Sequence, residues 1–328
     1  MDFTFPKEHQ LFRRMVREFA QQEIAPVAAE IDLEERVPFE VLEKAAKVGL
    51  MGVPFPQEYG GAGAGEIGYC ILMEEMNKVC GSTATIIGAH TGIGAMAIYL
   101  DGTEEQKQKY LVPLARGEKL AAFALTEPNA GSDAAAIQTR AVRDGDYFIL
   151  NGSKIWITNG DIADVLSVFA VTDPSLGARG GVTAFIVEKE FPGFRVGTKE
   201  TKMGIRGSST AEVIFEDCRV PAENVLGQFG AGFLTALKTL DVGRISLGAG
   251  CLGGAQAALD LSIDFAKSRY QFGEPVAQKQ AIQWMIADMA TEIEALRSLV
   301  YRTAWMLDSG NMGRDFSTMA AMCKVFGS

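Results

Sequence analysis

Four blocks of this sequence combine residue types that can do chemistry. The first runs Phe123-Ala124-Leu125-Thr126-Glu127-Pro128-Asn129-Ala130-Gly131-Ser132-Asp133. A segment with Pro128, Gly131 and Ser132 can turn several backbone N–H groups to one side and cradle an anion or the polar edge of a ring. Thr126 and Ser132 add hydroxyls that both donate and accept; on spacing alone an ordinary Gly/Ser turn reads the same. The second block is Trp156-Ile157-Thr158. Strand alternation puts Trp156 and Thr158 on one face, an aromatic plate beside a hydroxyl, which suits a flat heteroaromatic group and equally suits a core tryptophan. The third is Asp241-Val242-Gly243-Arg244, in which Asp241 and Arg244 are helix neighbours able to pair, as a surface pair would. The fourth is Arg269-Tyr270-Gln271-Phe272-Gly273 with Gln280, at a connection between helices. An arginine there can fork onto a phosphate or simply compensate a helix end.

Other chemistries find little support. No glycine-rich loop of the dinucleotide or P-loop type is present. The 5 cysteines (Cys70, Cys80, Cys218, Cys251, Cys323) form no C-x-x-C pair, and His9 and His90 are the 2 histidines, so no metal site is expected. His90 reads as a hydrogen-bonded interior residue. The N-terminal MDFTFPKEHQ lacks a signal-peptide layout, and the apolar stretch from Ile86 to Leu100 is too short to span a bilayer. A reducing cytoplasmic setting is the default reading.

The elements that must position these blocks follow from hydrophobic period. Leu11, Phe12, Met15, Val16 and Phe19 recur at helical spacing, and further helices are predicted at 38–50, 65–79, 82–100 and 103–115. Thr103-Glu104-Glu105-Gln106 has the form of a capping box, and the 82–100 helix should be buried on every side. From Ala121 to Arg219 the period is that of strands. Asn151-Gly152, between Tyr147–Leu150 and Ile155–Thr158, predicts a hairpin turn, and Leu166–Val171, Val182–Val187 and Ala211–Phe215 are further strands. Long helices return over Phe233–Lys267 and Gln278–Leu307, then Asp315–Phe326. The implied fold class is α+β: an N-terminal helical domain over 1–120, an antiparallel β-sheet or barrel over 121–225, and a C-terminal helical bundle over 226–328.

The 328 residues suit two or more domains and a sizeable core, with 48% apolar and 22% charged residues. The net charge of −10 argues against nucleic acid and anionic lipid surfaces as partners.

Together, the four blocks stand in the order and spacing of the acyl-CoA dehydrogenase family, which the sequence resembles over essentially its whole length. Ala124 to Asp133 looks like that family's signature, and Lys202-Met203-Gly204-Ile205-Arg206 and Pro221-Ala222-Glu223-Asn224-Val225 extend the likeness, nearest to the short-chain (butyryl-CoA) branch. The resemblance implies an FAD-dependent oxidoreductase of fatty acid β-oxidation that converts an acyl-CoA to its trans-2-enoyl-CoA. It implies that FAD is lined by Phe123 to Ser132, with Thr126 at the pyrimidine edge and Ser132 near the pyrophosphate and substrate. Trp156 and Ile157 would pack at the isoalloxazine and Thr158 would bond N5. Arg269, Phe272 and Gln280 would reach the FAD of a neighbouring copy in a homo-oligomer, a dimer of dimers. Asp241, Val242, Gly243 and Arg244 would line the acyl-CoA channel, and electron-transfer flavoprotein would accept the electrons.

One position departs from the family. The resemblance implies a glutamate base past Ser328, or, in some members, just before the helix arginine, where this chain has Gly243. No residue of the 328 is therefore assigned as the catalytic base. Glu127 and Asp133 read as loop-structuring carboxylates. The expectation is a chain cut short at its C-terminus, catalytically incompetent and weak in FAD binding. An oxygen-using acyl-CoA oxidase or flavin monooxygenase relative, and a non-catalytic scaffold, are the alternatives.

Overall fold

A computed structural model describes residues 4–328; the first three residues of the N-terminal stretch discussed above lie outside them. The chain opens with helices α1 (Lys7–Phe19), α2 (Ala28–Leu33), α3 (Phe39–Lys47), α4 (Gly65–Asn77), α5 (Gly81–Asp101) and α6 (104–115). Eight strands follow: β1 (Ala121–Ala124), β2 (Arg140–Asp144), β3 (Tyr147–Thr158), β4 (Val165–Val171), β5 (Val182–Glu188), β6 (Phe194–Lys199), β7 (Thr210–Pro221) and β8 (Val225–Leu226). The last region holds α7 (Gly232–Ser268), the small hairpin β9 (Tyr270–Gln271) and β10 (Glu274–Pro275), then α8 (Gln280–Asp308) and α9 (Arg314–Gly327). The α, then β, then α order and the α+β class match the periods of the sequence. The chain divides into two compact units, one of Ala29–Ala64 with Thr85–Gly243, the other of the remaining segments up to Ala28, Gly65–Ala84 and Arg244–Ser328.

The first of these units carries the sheet, ordered β6-β7-β3-β2-β4-β5-β8 with β1 added on β4. The pairings are antiparallel except β1 with β4 and β2 with β4, which run parallel. The short N-terminal strand β1 feeds directly into the signature segment. Its core joins Phe148, Leu150, Leu166, Val168, Phe185, Val213 and Phe215 among others, the inward alternates of the central strands.

The hairpin expected at Asn151-Gly152 is absent: β3 runs unbroken from Tyr147 to Thr158. The turn lies earlier, where β2 meets β3 with Asp144 opposite Tyr147 and Gly145 takes φ +59°. At Asn151 the ladder to β7 slips, and the asparagine side chain accepts from the Asp217 backbone N–H at 2.8 Å and donates to its carboxylate at 3.0 Å. The Asn-Gly pair thus serves a β-bulge and a close approach rather than a reversal.

The capping box forms as read. Gln106 N–H donates to Thr103 Oγ1 at 3.2 Å, and Thr103 N–H donates to Gln106 Oε1 at 3.1 Å. The Gln106 amide also donates at 2.8 Å to the Glu223 and Val225 carbonyls, tying α6 to the end of the sheet. Helix α5 extends past the apolar stretch at both ends. Its 21 residues make it, among the described residues, the one helix long and apolar enough to cross a membrane by length and composition; 72% of the relevant window is buried in the protein. His90 in its middle is interior and bonded, as its setting implied: Ala121 N–H donates to Nδ1 at 2.9 Å, and Nε2 faces the Leu114 carbonyl at 3.1 Å. The N–H donation fixes Nδ1 as acceptor, so the proton is on Nε2. Burial pushes this imidazole down to about 4.

The other unit is helical. Here α1 packs on α4, α4 on α8, and α8 on α9. Gly253 of α7 permits a close crossing, since a Cβ there would stand 2.1 Å from the Glu74 carbonyl oxygen. A buried charge cluster joins the helices: Glu74 accepts from Arg13 at 3.0 Å, from Tyr301 at 2.5 Å and from Arg297. Glu75 holds Arg17 through two bonds of 3.0 and 3.2 Å. Asp308 caps α4, accepting from the Glu66 and Ile67 N–H groups at 2.7 and 3.0 Å.

Candidate functional site

The segment after β1 is built inward first. Phe123, Ala124, Leu125 and Ala130 are buried, and Phe123 stacks on Phe169 with ring centroids 4.8 Å apart. These residues face the core with their side chains and offer only backbone to a ligand. Glu127 and Ala130 exchange both backbone bonds at 3.1 Å, closing a tight turn over Pro128 and Asn129. Pro128, Asn129, Gly131 and Ser132 are then exposed, and a Cβ on Gly131 would meet nothing within 4 Å.

Glu127 fixes this turn to the sheet. Its carboxylate accepts from Lys154 Nζ at 2.7 Å, from Thr139 N–H at 3.0 Å and from Gln138 N–H at 2.6 Å. Lys154 also donates to the Leu125 carbonyl at 3.1 Å, and Ile155 N–H donates to the Thr126 carbonyl at 3.0 Å. Lys154 is completely buried. Burial pushes the ammonium down to about 8 against the opposing pull of Glu127. Burial also raises Glu127, but the Lys154 charge and the donated bonds outweigh it and hold the carboxyl below its ordinary value. A lysine turned inward from a strand has no sequence signal beyond its place between Ser153 and Ile155.

The same strand then displays Trp156. Between the Lys154/Val213 and Ile157/Ala211 pairs the register slips, so Ile155 and Trp156 stand opposite one residue of β7. Trp156 takes φ +57°, a left-handed conformation costly for an aromatic residue, and is 63% exposed. Ile157 points into the core and Thr158 is half-buried. Alternation predicts a shared face for the two but not which one; the bulge leaves Trp156 exposed while Lys154, two residues before it, is buried. The tryptophan is displayed, not packed.

These observations test whether a flavin suits the chain. Among the described residues, the hydroxyls of Thr126, Ser132 and Thr158 take no hydrogen-bond partner, and neither do the N–H groups of Gly131 and Ser132. An outward indole, three uncommitted hydroxyls and an uncrowded glycine turn match what a ring with a polar edge and a phosphate arm requires. The donor set fits.

The remaining candidates are placed as follows. Asp241, Val242 and Gly243 lie on α7 in the same unit as the loop; Val242 is buried, while Asp241 and Gly243 are half-buried and engaged within the protein. A Cβ on Gly243 would stand 2.8 Å from Ile93 Cγ2. Arg244, also engaged, begins the helical unit's share of α7. Arg269, Phe272 and Gln280 belong to that helical unit and are exposed. The helix connection is the β9–β10 hairpin, with Phe272 at φ +57° and Gly273 at φ +82° in its turn. This is the paired left-handed geometry of a two-residue hairpin loop. Phe272 stands at its tip 92% exposed. Among the described residues no group of three or more His, Cys, Asp or Glu side chains could hold a metal ion, and all five cysteines are free thiols.

Comparison with known proteins places this architecture. Residues 6–118, 122–218 and 230–328 match the N-terminal, middle and C-terminal domains of acyl-CoA dehydrogenase in turn. The chain is 52% identical over 310 residues to the short-chain-specific acyl-CoA dehydrogenase of Clostridium acetobutylicum, covering 94% of this chain and 82% of that one. Butyryl-CoA dehydrogenase from Megasphaera elsdenii superposes with a TM-score of 0.96 at 43% identity, covering 100% of this chain and 85% of that one. A chain from a structural study of the electron transferring flavoprotein of Acidaminococcus fermentans and flavin-based electron bifurcation gives 0.97 at 48% identity, with 100% and 85% covered. The displayed tryptophan and its signature loop are therefore features of an oxidoreductase scaffold, and the chain belongs to the acyl-CoA dehydrogenase family.

Proposed function

We propose that this protein is built to bind FAD on the Trp156 face and to receive a short acyl-CoA as substrate, with electron-transfer flavoprotein as the electron acceptor of the reaction its fold serves. The observation that carries the reading is Trp156 itself, an indole left exposed by a bulge, two residues before Thr158 and next to Ile155, which bonds the Thr126 carbonyl. The identities to a short-chain-specific enzyme and to butyryl-CoA dehydrogenase support the substrate class. The likeness to a chain from an electron transferring flavoprotein study supports the acceptor.

In this reading Trp156 packs against the ring system, Thr158 and Thr126 donate or accept at its polar edge, and Ser132 with the Gly131 turn receives the phosphate arm. Bound FAD supplies the two-electron acceptor for oxidation of the substrate's α–β bond. The chain's own part is to orient the thioester and hold water away from it. Asp241, Val242, Gly243 and Arg244 serve the substrate channel. Arg269, Phe272 and Gln280 serve a neighbouring copy in a homo-oligomer, and the exposed Phe272 tip supports that role. The segments 1–120, 121–225 and 226–328 act as the three domains of the enzyme, in the cytoplasm.

Proton removal from the substrate α-carbon is assigned to no residue of the candidate site. Glu127 spends its carboxylate on Lys154, Gln138 and Thr139, and position 243 is a glycine. The test is spectroscopic. FAD titrated into the purified protein should bind, though weakly, and butyryl-CoA added without oxygen should perturb the bound flavin's spectrum more than octanoyl- or palmitoyl-CoA does. Absence of any saturable FAD binding overturns the flavin reading. Turnover with ferrocenium as acceptor is not expected, because no site residue is assigned as base; observing it would overturn that assignment and leave the flavin reading standing.

A further inference from the structure

The pair of Lys154 and Glu127 is buried where the 123–133 loop meets β3. It joins residues 27 positions apart, and three of its bonds go to loop backbone: Lys154 to the Leu125 carbonyl, and Gln138 and Thr139 N–H to Glu127. A buried ion pair is weak evidence of stabilisation in itself, since the solvation lost by both charges offsets their attraction. The geometry around the pair gives the charges another use. Lys154 and Ile157 are both anchored inward, and the strand between them contains one residue too many. That surplus is taken up by Ile155 and Trp156, and Trp156 is left in the left-handed region with its indole outward. Such a conformation persists only where the surroundings over-determine it. Ile157 holds one side through the core, and Lys154 holds the other through Glu127.

We propose that Lys154, clamped by Glu127, is a positioning residue for the cofactor face. The clamp sets the 123–133 loop against β3 and holds Trp156 outward, so that indole and loop are arranged before any ligand arrives. The proposal rests on the flavin reading for what the face receives, not for the clamp itself.

The test uses Lys154→Met, Lys154→Arg and the double variant Glu127→Gln/Lys154→Met, each with Trp284 and Trp305 replaced by Phe so that Trp156 is the sole emitter. Three quantities are read: amide exchange at Gln138 and Thr139 and Trp156 emission, both without cofactor, and FAD affinity by titration. In Lys154→Met, exchange at the two amides should rise and FAD affinity should fall, each by roughly tenfold, with a shifted Trp156 emission. Lys154→Arg should recover part of each. A lowered melting temperature with unchanged Trp156 emission and unchanged FAD affinity would mark the pair as merely structural and overturn the proposal. Should Lys154→Met not fold, the double variant, which strands no lone charge in the core, is judged by the same three readouts. If the parent protein does not bind FAD, the flavin reading falls, while exchange and emission still decide for or against the clamp.

Discussion

Gly152 lies directly against Thr139: a Cβ at Gly152 would stand 2.6 Å from Thr139 Oγ1 and 2.8 Å from its Cα, and Gly152 takes φ +148°. Both the backbone angle and the contact penalise any side chain there. Gly152→Ala should cost about 1–3 kcal/mol from backbone strain, with the clash in addition. At the real turn, Gly145 has φ +59° and open space around its Cβ position. Asparagine tolerates that region, so Gly145→Asn should stay within about 0.5 kcal/mol of the parent. Urea denaturation of the two variants measures the contrast. Equal costs would show that position 152 is not the constrained one.

The same glycine shows where the sequence misleads. Asn-Gly between two β-rich runs is a local signal, but the partner that consumes it is Asp217 on β7, far along the chain. Local pattern could not reveal that pairing. Alternation predicts a shared face for Trp156 and Thr158 but not the exposure of Trp156, because the bulge that turns it outward depends on β7 register. Lys154 was illegible because a fully buried lysine is rare enough that composition argues against it. Its partner Glu127 is loop-structuring as the family resemblance implies, but the bonds that make it so, to Gln138 and Thr139 N–H and to Lys154, were not legible locally. The long helices, the Thr103 capping box and the interior role of His90 were legible because each follows from spacing within a few residues.

His90 should make stability depend on pH. Its native pKa near 4 lies below its ordinary value of 6.5, because burial disfavours the imidazolium. Between those values the unfolded chain binds a proton that the folded chain does not. The contribution is therefore fully present above about pH 6.5 and is lost as pH falls toward 4, up to about 3 kcal/mol. His90→Gln cannot titrate, although its amide can still accept from Ala121 N–H and donate to the Leu114 carbonyl. Urea midpoints at pH 7 and pH 5 should fall less between the two conditions in this variant than in the parent. Equal falls would show that His90 does not carry the dependence.

A carboxylate cannot simply be added at position 243. The Cβ of any residue there would press to 2.8 Å from Ile93 Cγ2. Gly243→Glu should therefore lose about 1–3 kcal/mol from overpacking. Adding Ile93→Ala should return part of that loss by vacating the contact, a non-additivity that a double-mutant cycle in thermal or urea denaturation detects. Strict additivity of the two substitutions would mean that the clash is relieved elsewhere.

Trp156 offers the sharpest separation of function from stability. Replacing a core tryptophan costs about 3–5 kcal/mol, because a large cavity follows. Trp156 is instead 63% exposed, and it holds φ +57° against its own preference. In Trp156→Gly the relieved backbone strain and the extra freedom of glycine in the unfolded chain oppose each other at similar size, about 1 kcal/mol each. The cofactor-free variant should therefore keep its stability within about 1 kcal/mol of the parent. Its affinity for FAD should fall sharply, because the plate on which the ring rests is gone. Urea denaturation without cofactor and FAD titration of the same sample read the two quantities separately. A large loss of stability would return Trp156 to the core, and unchanged FAD affinity would remove it from the cofactor face.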